Sequence, residues 1–342
     1  MTQPATRTPR GSSLARLLSQ RSVQIAIAVW LVANALVLTL GRHGIPFDRP
    51  SVEDEPVGKQ LIFANAGLLE VFGLIWVVYA LTRRRTIPDV AARAPERDTA
   101  RREVQLLVVY GILAQAGGYL LGTLFGWHPF GFHITGTIYG TDDVVTPAEV
   151  YVWSAYNFVA YAVLPFAFFR RRYSAEQLNL RSSNRRNDLL VIVVILAIES
   201  IVELVALNHD IFGLTATQLL KGVPLTFGLY FLGTVMPTMI FIYCILVPRY
   251  LMLSGSVATT VILGGLTYAL LHVFEGWTRF DSISNVTLSV ALVLFQYFGP
   301  GMIKTVLTLR TGNAWVHVWA YHAIAPHVIA DAPTMVKNFG IR

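Results

Sequence analysis

Apolar stretches long enough to cross a lipid bilayer recur along this chain, near residues 23–40, 60–82, 104–126, 150–169, 188–207, 225–247, 256–274, 285–303 and 312–330. A helix rises 1.5 Å per residue, so about 20 apolar residues cover the roughly 30 Å of hydrocarbon in a membrane. These runs are continuously apolar and about twice the length of a barrel strand, which excludes a transmembrane barrel. Inside hydrocarbon only helices satisfy their own backbone within one segment. The fold class that follows is all-α: a polytopic integral membrane protein of about 8–9 transmembrane helices. Composition agrees, because 54% of the 342 residues are hydrophobic and 14% are charged, against about 25% charged in soluble domains.

The net charge of +7 raises the question of nucleic acid, but the distribution of the basic residues answers it. They crowd into alternate short segments: the N-terminus with Arg7, Arg10, Arg16 and Arg21, then Arg83–Arg85 through Arg93, Arg97, Arg101 and Arg102, then Arg170–Arg172 with Arg181, Arg185 and Arg186. The intervening loops carry Glu53, Asp54, Glu55, Asp142, Asp143 and Glu149 instead. That is the positive-inside pattern; it places the N-terminus in the cytoplasm and removes the need for a nucleic-acid partner. The first apolar run is long and lacks a clear small-residue cleavage pattern, so it reads as a retained helix. Residues 1–102 form an N-terminal helix pair with a charged, proline-bearing loop, and residues 103–342 form the transmembrane core. The single cysteine, Cys244, lies within a span and permits neither an internal disulfide nor a cysteine metal cluster.

Ionisable residues inside spans are expensive and therefore candidates for function. They are Glu70, Glu199 and Glu203, His272 and Glu275, and His317, His322 and His327. Glu70 stands among apolar neighbours and is expected either to pair with a backbone or hydroxyl donor on another helix or to stay protonated, since burial disfavours the charged carboxylate. Glu199 and Glu203 are four apart and share a helical face, where two carboxylates can share a proton. His272 and Glu275 are three apart and share a face as well. His317, His322 and His327 recur every five residues; regular α-helical geometry spreads them around the axis, so at most two should reach one site. His128, His133 and Asp142 are expected on a solvated surface.

Several of these residues fall in a pattern that resembles the CPBP family of intramembrane proteases, which includes type II CAAX prenyl endopeptidases, bacteriocin-processing proteins and Abi proteins. The resemblance covers about residues 170–330. It begins with the stretch Arg170 to Arg181, continues with Tyr268-Ala-Leu-Leu-His272 in place of the family's F-x-x-x-H, and ends with Leu309-Arg-Thr-Gly-Asn-Ala-Trp315 followed by His322. The chain departs at the family's first motif, E-E-x-x-x-R: Arg249 keeps the arginine, while Cys244 and Ile245 stand where the glutamates belong. Pro326 takes the place of a common asparagine.

What the resemblance implies is a CPBP-like core and an intramembrane endopeptidase, or a catalytically impaired relative, that acts on or binds a membrane-associated protein or peptide. In that reading the site residues are His272 and His322, with Glu275 as substitute base and Arg249 as the remnant of the first motif. No cofactor and no metal are implied, and the setting is a bacterial cell membrane with lipid as its constant partner. A proton-coupled secondary transporter is the alternative, with Glu199 and Glu203 as relay and the break at Gly299-Pro300-Gly301 as gate.

Overall fold

The computed structural model describes residues 13–45, 55–134, 145–207 and 209–342. Among the described residues no β-strand occurs. The helices are α1 (Arg21–Leu40), α2 (Val57–Leu81), α3 (Arg97–Leu124), α4 (Pro147–Arg170), α5 (Arg185–Val202), α6 (Ala216–Ser254), α7 (Val257–Leu271), α8 (Ile283–Thr311), α9 (Ala314–His317) and α10 (Ala330–Asn338). The chain is an all-α polytopic membrane protein.

Of these, α1, α2, α3, α4, α6 and α8 are each long and apolar enough to cross a bilayer. Three further legs complete the bundle on different terms. Helix α5 carries Arg185, Arg186, Asp188 and Glu199 and is prolonged by a wide turn, Glu203–Leu207. Helix α7 has 15 residues, only about 22 Å of rise. The leg from Ala314 to Asn338 is broken into short α and π pieces. The expected acidic residues Glu53, Asp54, Asp142 and Asp143 lie outside the described residues.

Local sequence sets the helix starts. Thr146 accepts from the Glu149 amide ahead of Pro147, Ser256 caps α7 through the Thr259 amide, Ser282 caps α8 through Asn285 and Asn313 caps α9 through Trp315; each answers an amide that the first turn leaves unpaired. Between α7 and α8 small residues let the backbones touch. A Cβ on Gly264 would lie 2.1 Å from Thr305 Oγ1, and one on Gly301 2.8 Å from Gly265 Cα. Such close approach is how membrane helices gain packing where lipid supplies no hydrophobic drive. It also fixes the last turn of α7 against the middle of α8, with consequences for the site.

The most buried leg is α6, interrupted by π segments at Phe231–Val235 and Met239–Leu246. Pro237 and Pro248 follow these segments directly, as expected where a missing amide disturbs the regular ladder. Helices α1 and α2 pack on α7 and α8. The charged stretch after α2 is drawn into this core: Arg93 donates to Asn179 Oδ1 at 2.7 Å and to the Gly312 carbonyl, and Arg85 pairs with Asp188.

Candidate functional site: a buried histidine and carboxylate chamber

The turn Leu309–Trp315 that carries the family resemblance is built around Gly312, in the left-handed region at φ +63°. Glycine adopts that conformation without strain. The turn reverses the chain so that His317, His322 and His327 rise through the centre of the bundle. Their placement corrects the expectation that regular helical spacing would disperse them. Two π segments, Val318–His322 and Ala325–Ile329, widen the turns. Residues five apart then stack one above the other, and the ring centroids lie 6.0 Å apart for His317 and His322 and 5.1 Å for His322 and His327.

His272 and His322 come together through Tyr268. The Tyr268 hydroxyl is 3.1 Å from His322 Nε2, and the Tyr268 carbonyl accepts from His272 Nδ1 at 2.7 Å. That second bond fixes the tautomer, since Nδ1 must carry the proton, and leaves Nε2 with a lone pair and no protein partner. Across the α7–α8 contact Tyr297 stacks on His272 at 3.9 Å between centroids, and its hydroxyl meets the Glu275 carboxylate.

Glu275 sits in the turn after α7, buried, with the Tyr297 hydroxyl as its hydrogen-bonding neighbour. A depression of about 510 Å³, lined by Tyr119, His128, Glu275, Arg279 and Asp281 among others, opens beside it.

Sequence reasoning missed His133. Expected on a solvated surface, it is 6% exposed, because its loop is pulled inward. Trp153 Nε1 and Asn157 Nδ2 both donate to the Gly131 carbonyl at 2.8 Å, and Thr234 donates to the Phe132 carbonyl. Gly131 itself lies so close to Phe274 that a Cβ would be 2.1 Å from its carbonyl oxygen. His133 Nδ1 ends 3.9 Å from Glu275 Oε2 and its Nε2 3.3 Å from Asp331 Oδ2, which also accepts from His327 Nδ1 at 3.0 Å. His128 pairs with Glu149 at 2.9 Å; Asp142 lies outside the described residues.

Arg249 is not joined to this chamber by any contact described. Its guanidinium is held by Glu103 at 2.6 and 2.7 Å, donates to the Ile245 carbonyl, and lies over the rings of Phe169 and Tyr173. Deeper in the bundle is a second polar group. Glu70 shares a hydrogen bond with Glu199, which requires a proton between the two carboxyls; of the two expectations for Glu70, a hydroxyl or backbone donor or a retained proton, this contact agrees with the second. Lys304 on α8, absent from the sequence-based set of candidates, is 1% exposed and stands 3.7 Å from the Tyr268 ring centroid, with Glu199 as the opposite charge acting on it. Its lone position in an apolar run was the available signal, since an intramembrane lysine needs a reason. Compared with known protein families, with curated proteins and with solved structures, the chain shows no match.

Proposed function

We propose that this protein is a CPBP-like intramembrane peptide hydrolase, or a relative with impaired hydrolysis, that takes a membrane-associated protein or peptide at its histidine chamber. The observation that carries the reading is Glu275, a buried carboxylate with the Tyr297 hydroxyl beside it and His133 at 3.9 Å, next to a depression and across Tyr297 from His272. Structure gains little from a buried carboxylate so lightly paired; a general base needs that freedom. In the proposed reaction Glu275 takes a proton from water as its oxygen attacks the scissile carbonyl. The Tyr297 hydroxyl and the His322 ring are the donors available to the oxyanion. Collapse of the tetrahedral intermediate breaks the C–N bond, and Glu275 returns the proton to the departing amine. His272, held in its Nε2 lone-pair tautomer, orients the water. Arg249 takes no part.

The test is cleavage of membrane-anchored peptides, with and without a prenylated C-terminus, by the protein in liposomes, read by mass spectrometry. Glu275→Gln is expected to lower the rate by about 10²–10⁴, the usual contribution of a general base. Cleavage that survives Glu275→Gln and His322→Ala together would remove this site from the reaction. A second reading is favoured by the contact between Glu70 and Glu199 near Lys304: a proton-coupled secondary transporter with these groups as relay. Proton uptake into proteoliposomes that disappears in Glu199→Gln, without any peptide cleavage by the parent, would select it.

A further inference from the structure

Beside the proposed base, four side chains from separate parts of the chain converge: His133 from the loop after α3, Glu275 from the turn after α7, His327 from a π turn and Asp331 from α10. One donor atom each from His133, His327 and Asp331 lies within 4.8 Å of the others. All three are buried, and Glu275 is 1% exposed. We propose that His133, His327 and Asp331 form a binding site for a divalent first-row transition metal ion, with Glu275 beside the position left open to water.

Geometry comes first. Zinc with ligands at about 2.0–2.2 Å in a tetrahedral shell places neighbouring donor atoms about 3.3 Å apart. His133 Nε2 and His327 Nδ1 flank Asp331 Oδ2 at 3.3 and 3.0 Å. Two imidazoles and one carboxylate are a set of intermediate softness, suited to zinc or ferrous iron rather than to calcium or magnesium. Three protein ligands and one open position are also how metal sites that bind water are built.

Charge and unused valence point the same way. With neutral imidazoles, an ionised Asp331 brings one buried negative charge into this small volume and ionisation of Glu275 would add a second, which a divalent cation cancels. Asp331 Oδ1 has no protein partner. Buried polar atoms are ordinarily satisfied, so a spare oxygen on a carboxylate that already faces two imidazoles is open to a ligand. The walls are rigid: the Tyr230 ring stacks on His327 at 4.6 Å and lies 5.2 Å from His133.

The site shares the chamber of the proposed hydrolase but does not depend on hydrolysis. The full-length protein, purified in detergent without chelator and without a metal-affinity step, is equilibrated with Zn²⁺, washed and analysed by mass spectrometry of its metal content. Equimolar zinc is expected. His327→Gln and Asp331→Asn should each weaken zinc at least about tenfold, as loss of a ligand or its support does, while His317→Gln, on the far side of His322, should retain it. Replacement with Co²⁺ gives a reading on the parent alone, a visible ligand-field band of low-coordinate cobalt that the His327 and Asp331 variants lack. Parent protein without equimolar zinc or without that band, or equal losses in His317→Gln and His327→Gln, overturns the proposal. Zinc binding without peptide cleavage would leave this inference standing and remove active hydrolysis; cleavage by a parent that takes up no zinc when equilibrated with it would do the reverse.

Discussion

The two ends of the bundle treat buried charge in opposite ways. At the arginine-rich end, Asp188 accepts from Arg85, from Ser182 Oγ at 2.5 Å and from Asn313 Nδ2 at 3.0 Å, while Arg85 also donates to Ser183 and to the Thr311 carbonyl. Each oxygen of that carboxylate has a donor. At the histidine end, Asp331 Oδ1 has none, and Glu275 has the Tyr297 hydroxyl beside it in place of a network. Both regions are equally dry, so burial does not explain the difference. A satisfied network fixes the chain, and one with spare valence is available to something that arrives.

The contrast is broken most directly at Asp188. Asp188→Ala leaves Arg85 buried without its counter-charge and is expected to cost about 3–5 kcal/mol, as loss of one member of a buried pair does. Reversible unfolding in mixed detergent micelles measures it, and a change within experimental noise would show the network to be ornamental. Gly312→Ala comes next. A Cβ there meets Pro88 Cγ at 2.8 Å and Arg93 Nη2 at 2.9 Å in a left-handed conformation, for an expected loss of about 1–3 kcal/mol in the same assay. The smallest effect belongs to Lys59, paired with Glu55 at 2.6 Å on the surface. Lys59→Ala should change stability by about 0–1 kcal/mol, because water screens what it buries so little of. A large effect there would mean that surface charge, and not the enclosed network, holds the fold.

These regions were unequally legible in the sequence. The helical membrane class follows from apolar runs such as 60–82 and 285–303, because backbone satisfaction in lipid leaves few alternatives. The turn at Gly312-Asn313 was also readable, since a left-handed glycine and an asparagine cap are local properties. The chamber was not. His133 enters it only because Trp153, Asn157 and Thr234, all distant in sequence, anchor its loop. His317, His322 and His327 align only because the backbone departs from the period of 3.6 on which helical-face reasoning rests. Glu275 was identified by its proximity in sequence to His272, and the structure joins the two through Tyr297 rather than directly. Arg249 stood out through a motif, while its surroundings, Glu103 and two aromatic rings, come from helices that no motif connects to it.

The central claim is that polar groups at the histidine end are kept for chemistry at no gain to stability. It is tested by measuring unfolding free energy and peptide cleavage on one preparation of Glu275→Gln. The expected result is stability equal to or above that of the parent, since a lightly paired buried carboxylate is replaced by a neutral amide that still accepts from Tyr297, together with cleavage lowered by about 10² or more. Stability lost on the scale of Asp188→Ala with cleavage intact would contradict the account and make the histidine end a second structural clamp.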